Sequence, residues 1–241
     1  MTAIHLAIYK NQKRGQAKME IKEILKHVDH TLLLQPSTWE EIKQICDDAM
    51  KYGTASVCIP PCYVKQAAEY MGEKMAVCTV IGFPNGNMTT AVKEFETKDA
   101  IANGASEIDM VMNIGAMKEK DYIYVASDIA GVVETSSKYG AIVKVILETC
   151  LLTNEEISKA CKIAADAGAA FVKTSTGFST RGASAAHVKL MKNRVAGRAQ
   201  VKASGGIRDL KTVQEMIKAG ADRIGASASV AIMKEYEKTQ E

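Results

Sequence analysis

Two lysines stand inside apolar, β-rich runs: Lys173 in FVKTSTGF and Lys202 in VKASGGIR. Lysine is almost never fully buried without a partner, so each needs a physical reason. Neighbouring parallel strands lie about 4.8 Å apart, and inward-pointing lysines on adjacent strands would share one desolvated cavity. Burial and a second ammonium both favour the neutral amine and lower a lysine pKa. A neutral lysine attacks carbonyl carbon, so the pair suits Schiff-base chemistry with one amine activating the other. A lone strand lysine is more simply one that reaches solvent or meets a carboxylate. The second lysine tips the reading towards function.

A carboxylate is available for the same cavity. Asp109 lies in the run EIDMVMN, where an unpaired charge would be costly unless it meets a cation or hydrogen-bond donors. A buried ion pair with Lys173 or Lys202 is the structural reading, and proton transfer around an imine is the functional one. Glycines follow three of the strands: Gly177, then Gly205 and Gly206, then Gly225 with Ser227. Each alone would serve a tight turn. Together they expose backbone N–H groups to an anion at the strand ends where barrel enzymes bind phosphate. Cys58 and Cys62 in CIPPC, and His27 with His30, lack the partners of a zinc site, so no metal is expected.

These residues need a scaffold that brings strand ends to one rim. From His27 onward, β-rich runs alternate with helical patterns, which favours parallel strands covered by helices. The strands fall near 27–31, 56–60, 76–82, 107–113, 142–149, 170–175, 200–204 and 223–226. Near-continuous apolar runs such as AVCTVIGF fit strands buried on both faces. Thr153 with Glu156, and Thr38 with Glu41, read as capping boxes opening amphipathic helices. Gly168 can end the first of these, and Asp209 to Gly220 bounds a third helix. An open doubly wound sheet is the alternative, but no GxGxxG opens the first unit. The expected fold is therefore a single (β/α)8 TIM barrel of the α/β class. An extra N-terminal helix is expected around Ile21, Ile24, Leu25 and Val28. Residues 1–18, basic and poorly patterned, read as a poorly ordered extension, and 19–241 as the barrel domain.

Composition narrows the partners. The 241 residues are 47% hydrophobic and 24% charged, so a large core can form and disorder is not expected. The net charge of +3 is scattered, unlike the basic stripe of a nucleic-acid binder, which leaves a small molecule as the partner. Every apolar run is broken before the roughly 20 residues that span a bilayer, so no membrane association is expected. Six cysteines without CxxC spacing, and no secretory signal, fit reduced thiols in the cytoplasm.

Taken in order, VDHTLL, VIGFPNG, EIDMVMN, FVKTSTGF, VKASGGIR and RIGAS resemble the deoxyribose-phosphate aldolase family, from about Ile21 to near the C-terminus. The resemblance implies that Lys173 is the Schiff-base nucleophile, Lys202 its activator and Asp109 the proton-handling acid. It also implies that Asp29, Thr31 and Cys58 lie near a bound sugar, and that Gly177, Gly205, Gly206, Gly225 and Ser227 hold its phosphate. Two positions depart from some relatives: Ala228 replaces a second serine and Phe178 replaces a lysine, so Arg181, Arg208 or the backbone would have to compensate. The C-terminal EYEKTQE lacks the terminal tyrosine that some members use as a proton carrier, which leaves water or Asp109.

The implied reaction is cofactor-free, reversible cleavage of 2-deoxy-D-ribose 5-phosphate to acetaldehyde and D-glyceraldehyde 3-phosphate. It implies a homo-oligomer, dimer or tetramer, in deoxyribose phosphate catabolism. Two other readings compete: a sugar-phosphate isomerase needing no imine, and a non-catalytic barrel whose lysines only neutralise phosphate. The second strand lysine favours the aldolase.

Overall fold

Short helix α1 (Ile21–Leu25) leads into β1 (Val28–Thr31), in a computed structural model that describes residues 21–229 together with 231 and 232. The chain then alternates: α2 (Trp39–Tyr52), β2 (Ser56–Ile59), α3 (Val64–Met71), β3 (Ala76–Ile81), α4 (Thr90–Ala102) and β4 (Glu107–Val111). Two helices, α5 (Ile114–Lys118) and α6 (Tyr122–Ser137), precede β5 (Ile142–Ile146), and α7 (Asn154–Asp166) precedes β6 (Phe171–Lys173). The last units are α8 (Ala185–Val195), β7 (Gln200–Ser204), α9 (Leu210–Ala219) and β8 (Arg223–Ala226). Each strand pairs in parallel with its sequence neighbours and β8 pairs with β1, so the sheet closes into an eight-stranded barrel. The open-sheet alternative is excluded. The extra N-terminal helix is α1, and the expected 1–18 extension lies outside the described residues.

Local chemistry accounts for the helix boundaries. Both capping boxes form: Thr38 and Thr153 accept from the backbone N–H groups of Glu41 and Glu156, whose side chains return the bond to the cap N–H. Asp209 accepts from Thr212 N, and Gly220 closes α9 with a left-handed φ of 114°. The apolar face of α2 buries Ile42, Cys46 and Ala49, while that of α7 buries Ile157, Ala160, Cys161 and Ala164. The main core is thus the layer between strands and helices.

Three strands end two or more residues short of their expected ranges: β4 at Val111, β5 at Ile146 and β6 at Lys173. β5 stops at Ile146 rather than 149 because Glu148 takes a left-handed φ of 54°, which interrupts the ladder. β6 stops at Lys173, but the chain beyond remains tied down: Thr174 N donates to Lys202 O at 3.0 Å, and Thr149 N to Thr174 O at 2.9 Å. Polar residues after the strands are therefore held by backbone bonds without belonging to the sheet.

One buried ion pair lies outside the lumen. Lys93 on α4 and Asp128 on α6 are both fully buried, with Nζ 2.6 Å from Asp128 Oδ2 and 3.0 Å from Val111 O, while Thr90 donates to Asp128 at 2.8 Å. Removing one partner of such a pair strands a charge, whereas replacing both by apolar groups is often neutral. Asp128→Ala should therefore cost about 3–5 kcal/mol in urea unfolding, and Lys93→Met with Asp128→Leu should recover most of it. A loss below about 1 kcal/mol in the single variant would show that the pair does not support the helix layer.

Candidate active site

Side chains alternate between the two faces of a strand. In most barrels the inward set is branched and apolar. Here several inward positions carry charge: Asp29 on β1, Glu107 and Asp109 on β4, Lys144 on β5, Lys173 on β6, Lys202 on β7 and Arg223 on β8. Register sets their heights. Asp109 is level with Lys144, Lys173 with Lys202, and Lys202 with Arg223.

Asp109 is the hub. Its Oδ2 accepts from Lys173 Nζ and from Lys202 Nζ, both at 2.7 Å, and its Oδ1 accepts from Lys144 Nζ at 2.8 Å and from the Cys78 thiol at 3.2 Å. The outer cations are held in turn. Lys202 Nζ lies 2.5 Å from Asp29 Oδ2, and Lys144 Nζ lies 2.6 Å from Glu107 Oε2. Arg223 closes the far side, 2.6 Å from Asp29 Oδ1 and 3.4 Å from Glu107 Oε2.

Electrostatics follow from this arrangement. Burial alone would push Asp109 towards the neutral acid, but Lys144, Lys173 and Lys202 outweigh it and hold the carboxyl well below the usual carboxylate range. Burial would likewise strip Lys202 of its proton, yet Asp109 and Asp29 keep it above the ordinary lysine range. Lys144 is held high against its burial in the same way, chiefly by Asp109. The expectation that a shared cavity lowers a lysine pKa is thus corrected for Lys202, because carboxylates lie closer to it than the argument from two ammonium groups allowed.

Above the hub is a cavity of about 340 Å³, open at the C-terminal ends of the strands. Its wall includes Thr31, Lys173, Thr176, Gly177, Phe178, Ser204, Gly205, Gly206, Arg208, Gly225 and Ser227. Lys173 is 2% exposed, whereas Lys144, Lys202 and Asp109 are fully covered. Lys173 therefore joins the ionic network to the cavity. Gly177, Gly205 and Gly206 have φ of 89°, 82° and 76°, a region closed to most side chains. Gly225 is needed for space: a Cβ there would come within 2.9 Å of Ser204 Cβ and 3.1 Å of Lys202 Cε.

Of the residues singled out from sequence, the structure gathers Thr31, Lys173, Gly177, Gly205, Gly206, Gly225 and Ser227 around the cavity, with Asp109 and Lys202 directly beneath. Asp29 and Cys58 do not reach its wall. Asp29 is fully buried lower in the lumen, bonded to Ser56 at 2.8 Å and to Arg223, and Cys58 is fully buried beside Cys78, its in-register neighbour. Arg208 lines the cavity, Arg181 does not, and the C-terminal EYEKTQE lies outside the described residues.

Lys144, Glu107, Cys78 and Arg223 had not been singled out. Lys144 carried the signal used for the other lysines, a cation inside the apolar run IVKVI. Two groups have metal-like spacing, Cys58 with Cys78 and Asp109, and Asp29 with Cys78 and Glu107. Lys144 Nζ lies 3.1 Å from Cys78 Sγ, 2.8 Å from Asp109 and 2.6 Å from Glu107, so an ammonium already fills the place between these donors. Among the described residues, no helix is long and apolar enough to cross a membrane.

A closed parallel barrel with a lysine–carboxylate cluster beneath a glycine-walled cavity at the C-terminal ends of its strands places a small-molecule site where barrel enzymes carry theirs. Residues 23–237 match the DeoC/LacD family aldolase, and the chain belongs to that family. A deoxyribose-phosphate aldolase of Lysinibacillus sphaericus (strain C3-41) is 56% identical over 207 residues, 86% of this chain and 92% of that one. The crystal structure of a putative deoxyribose-phosphate aldolase from Coccidioides immitis superposes with a TM-score of 0.87 at 41% identity, covering 97% of this chain and 96% of that one. A tetrameric deoxyribose phosphate aldolase from Aeropyrum pernix gives 0.85 at 30% identity, covering 99% of this chain and 100% of that one.

A close approach across the mouth supplies a test of the cavity wall. Ala183 N donates to Ser204 O and Gly205 O, both at 3.0 Å, and a Cβ on Gly182 would sit 2.0 Å from Gly205 O. Gly182→Ala must displace the Gly205 segment. It should weaken binding of a small phosphate monoester about tenfold in calorimetric titration, and unchanged affinity would remove this segment from the anion site.

Proposed function

We propose that the protein reversibly cleaves 2-deoxy-D-ribose 5-phosphate to D-glyceraldehyde 3-phosphate and acetaldehyde through an imine on Lys173. The observation that carries this reading is that Lys173, one of three amines bonded to the Asp109 carboxylate, also opens onto the glycine-walled cavity. The names of the family relatives support the same substrate.

Charge balance selects the nucleophile. The network holds the cations Lys144, Lys173, Lys202 and Arg223 against the carboxylates Asp29, Glu107 and Asp109. One positive charge is in excess. Lys202 lies against two carboxylates, and Lys144 against three within 3.7 Å, while Lys173 has Asp109 alone. Lys173 is therefore the lysine held by the fewest counter-charges, and Lys202 remains the fixed cation beside it.

The free Nζ of Lys173 attacks C1 of the open-chain sugar, and the carbinolamine loses water to give a protonated imine. Loss of the C3 hydroxyl proton forms the C3 carbonyl and breaks C2–C3, whose bonding pair becomes the C1–C2 double bond of an enamine as the C=N π pair moves onto the nitrogen. Glyceraldehyde 3-phosphate departs. Protonation of the enamine at C2 and hydrolysis then release acetaldehyde and restore Lys173. Asp109, held as a carboxylate, serves as the proton relay at the carbinolamine and enamine stages through water. The backbone of Gly177, Gly205 and Gly206, with Ser227, Gly225 and Arg208, would receive the phosphate at the rim. Thr31, which lines the cavity, would meet the sugar, whereas Asp29 and Cys58 lie outside its wall. No cofactor enters these steps.

The six free cysteines support a reducing, cytoplasmic setting, and the tetrameric relative supports a homo-oligomer. Incubation with acetaldehyde and borohydride should leave a reduced two-carbon adduct on Lys173, and Lys173→Ala should lose both adduct and turnover. An active wild-type enzyme without specific labelling would favour an isomerase, and substantial aldol turnover in Lys173→Ala would relocate the nucleophile.

A further inference from the structure

Arg223 takes no part in that mechanism and does not line the cavity. It is the first residue of β8, at the end of the barrel opposite the mouth, and its side chain turns into the lumen with its guanidinium 5.3 Å from the centroid of the Phe171 ring. Its Nη1 binds Asp29 Oδ1 at 2.6 Å and approaches both oxygens of Glu107, at 3.4 and 3.5 Å. Those two carboxylates are the ones that flank the fixed lysines, Asp29 on Lys202 and Glu107 on Lys144. Every link from Arg223 to Lys173 is thus a contact of 2.7 Å or less: Arg223 to Asp29, Asp29 to Lys202, Lys202 to Asp109, and Asp109 to Lys173.

We propose that Arg223 is a positioning residue for the imine-forming lysine, acting from the barrel floor by clamping Asp29 and Glu107 so that they hold Lys202 and Lys144 around Asp109. The inference rests on the imine reading above. Two properties suit an arginine to this place. Its planar fork can engage two carboxylates at once, and it keeps its charge at every working pH. That permanent charge also creates the excess. With Arg223 present the cluster has four cations for three carboxylates; without it, three lysines face three carboxylates and the excess positive charge beside Lys173 is gone. The other titratable groups facing this cluster are the Cys78 thiol, bonded to Asp109 and Lys144, the Cys58 thiol beside it, and His27, whose ring accompanies Asp222 at the start of β1. None supplies a permanent cation.

A role confined to holding the fold would alter stability and leave the pH dependence of the amine alone, so the pH dependence is the readout. Imine formation with acetaldehyde is trapped with borohydride across pH 5 to 10 in wild type and in Arg223→Lys, Arg223→Gln and Arg223→Met, and each variant is melted to establish that it is folded. The wild-type midpoint should be kept by Arg223→Lys and should move upward by about one pH unit in the two neutral variants, with about tenfold less trapped imine at neutral pH. A folded neutral variant with the wild-type midpoint would overturn the proposal, as would failure of both neutral variants to fold, which would make Arg223 a structural plug. A wild-type protein that traps no imine at Lys173 would instead overturn the reading beneath it.

Discussion

A carboxylate removed from water must be surrounded by cations, and the interior of this barrel is arranged around that requirement at Asp109. Ionised and fully buried, it accepts from lysines on three successive strands, β5, β6 and β7. Those lysines then need counter-charges of their own, which come from Asp29 on β1 and Glu107 on β4, and these require Arg223 on β8. Desolvation would make each group costly alone. As a network they are mutually necessary, and the lumen is filled by ion pairs where most barrels stack branched side chains.

The cavity above inherits its character from this cluster. Lys173 forms its floor, while its upper wall is backbone from the turns after β6 and β7, where glycine permits φ values that other residues avoid, and from the end of β8. Part of that wall is fastened from behind: Thr176 donates its backbone N–H and hydroxyl to buried Glu148, and its hydroxyl oxygen accepts from Phe178 N at 3.0 Å. The left-handed backbone that ends β5 early is what places Glu148 for this contact. Glu148 thus braces the wall of the proposed phosphate site, its Oε2 taken up by Thr176.

The barrel and the meeting of Lys173, Lys202 and Asp109 were legible in the sequence because a charge inside a short apolar strand contradicts its surroundings at a single position. Lys173, Lys202 and Asp109 carry that contradiction openly. Lys144 carries it equally, but no glycine-rich turn follows its strand to draw attention to it. Glu107 and Arg223 were not legible for another reason: each opens its strand, where a charge ordinarily meets solvent, and only closure and register turn them inward. Cys78 reads as one more apolar residue. Gly182 has no local signal, since the need for it comes from Gly205 across the mouth. Asp29 and Cys58 fell on the right strands, but how deep they sit depends on register between strands, which composition does not encode.

Because neighbouring strands are parallel and in register, the lumen presents its side chains on a lattice. A group can change height only in steps of two residues and change side only by one strand spacing, about 4.8 Å. Lys173 and Lys202 occupy adjacent points of that lattice at the same level and bond to the same oxygen of Asp109. Reactive groups on such a frame are repositioned by exchange between discrete sites, since a one-residue slip would turn a whole strand inside out. The barrel therefore constrains which new chemistries can arise in it to those whose reacting atoms are spaced by whole strands and whole pleats.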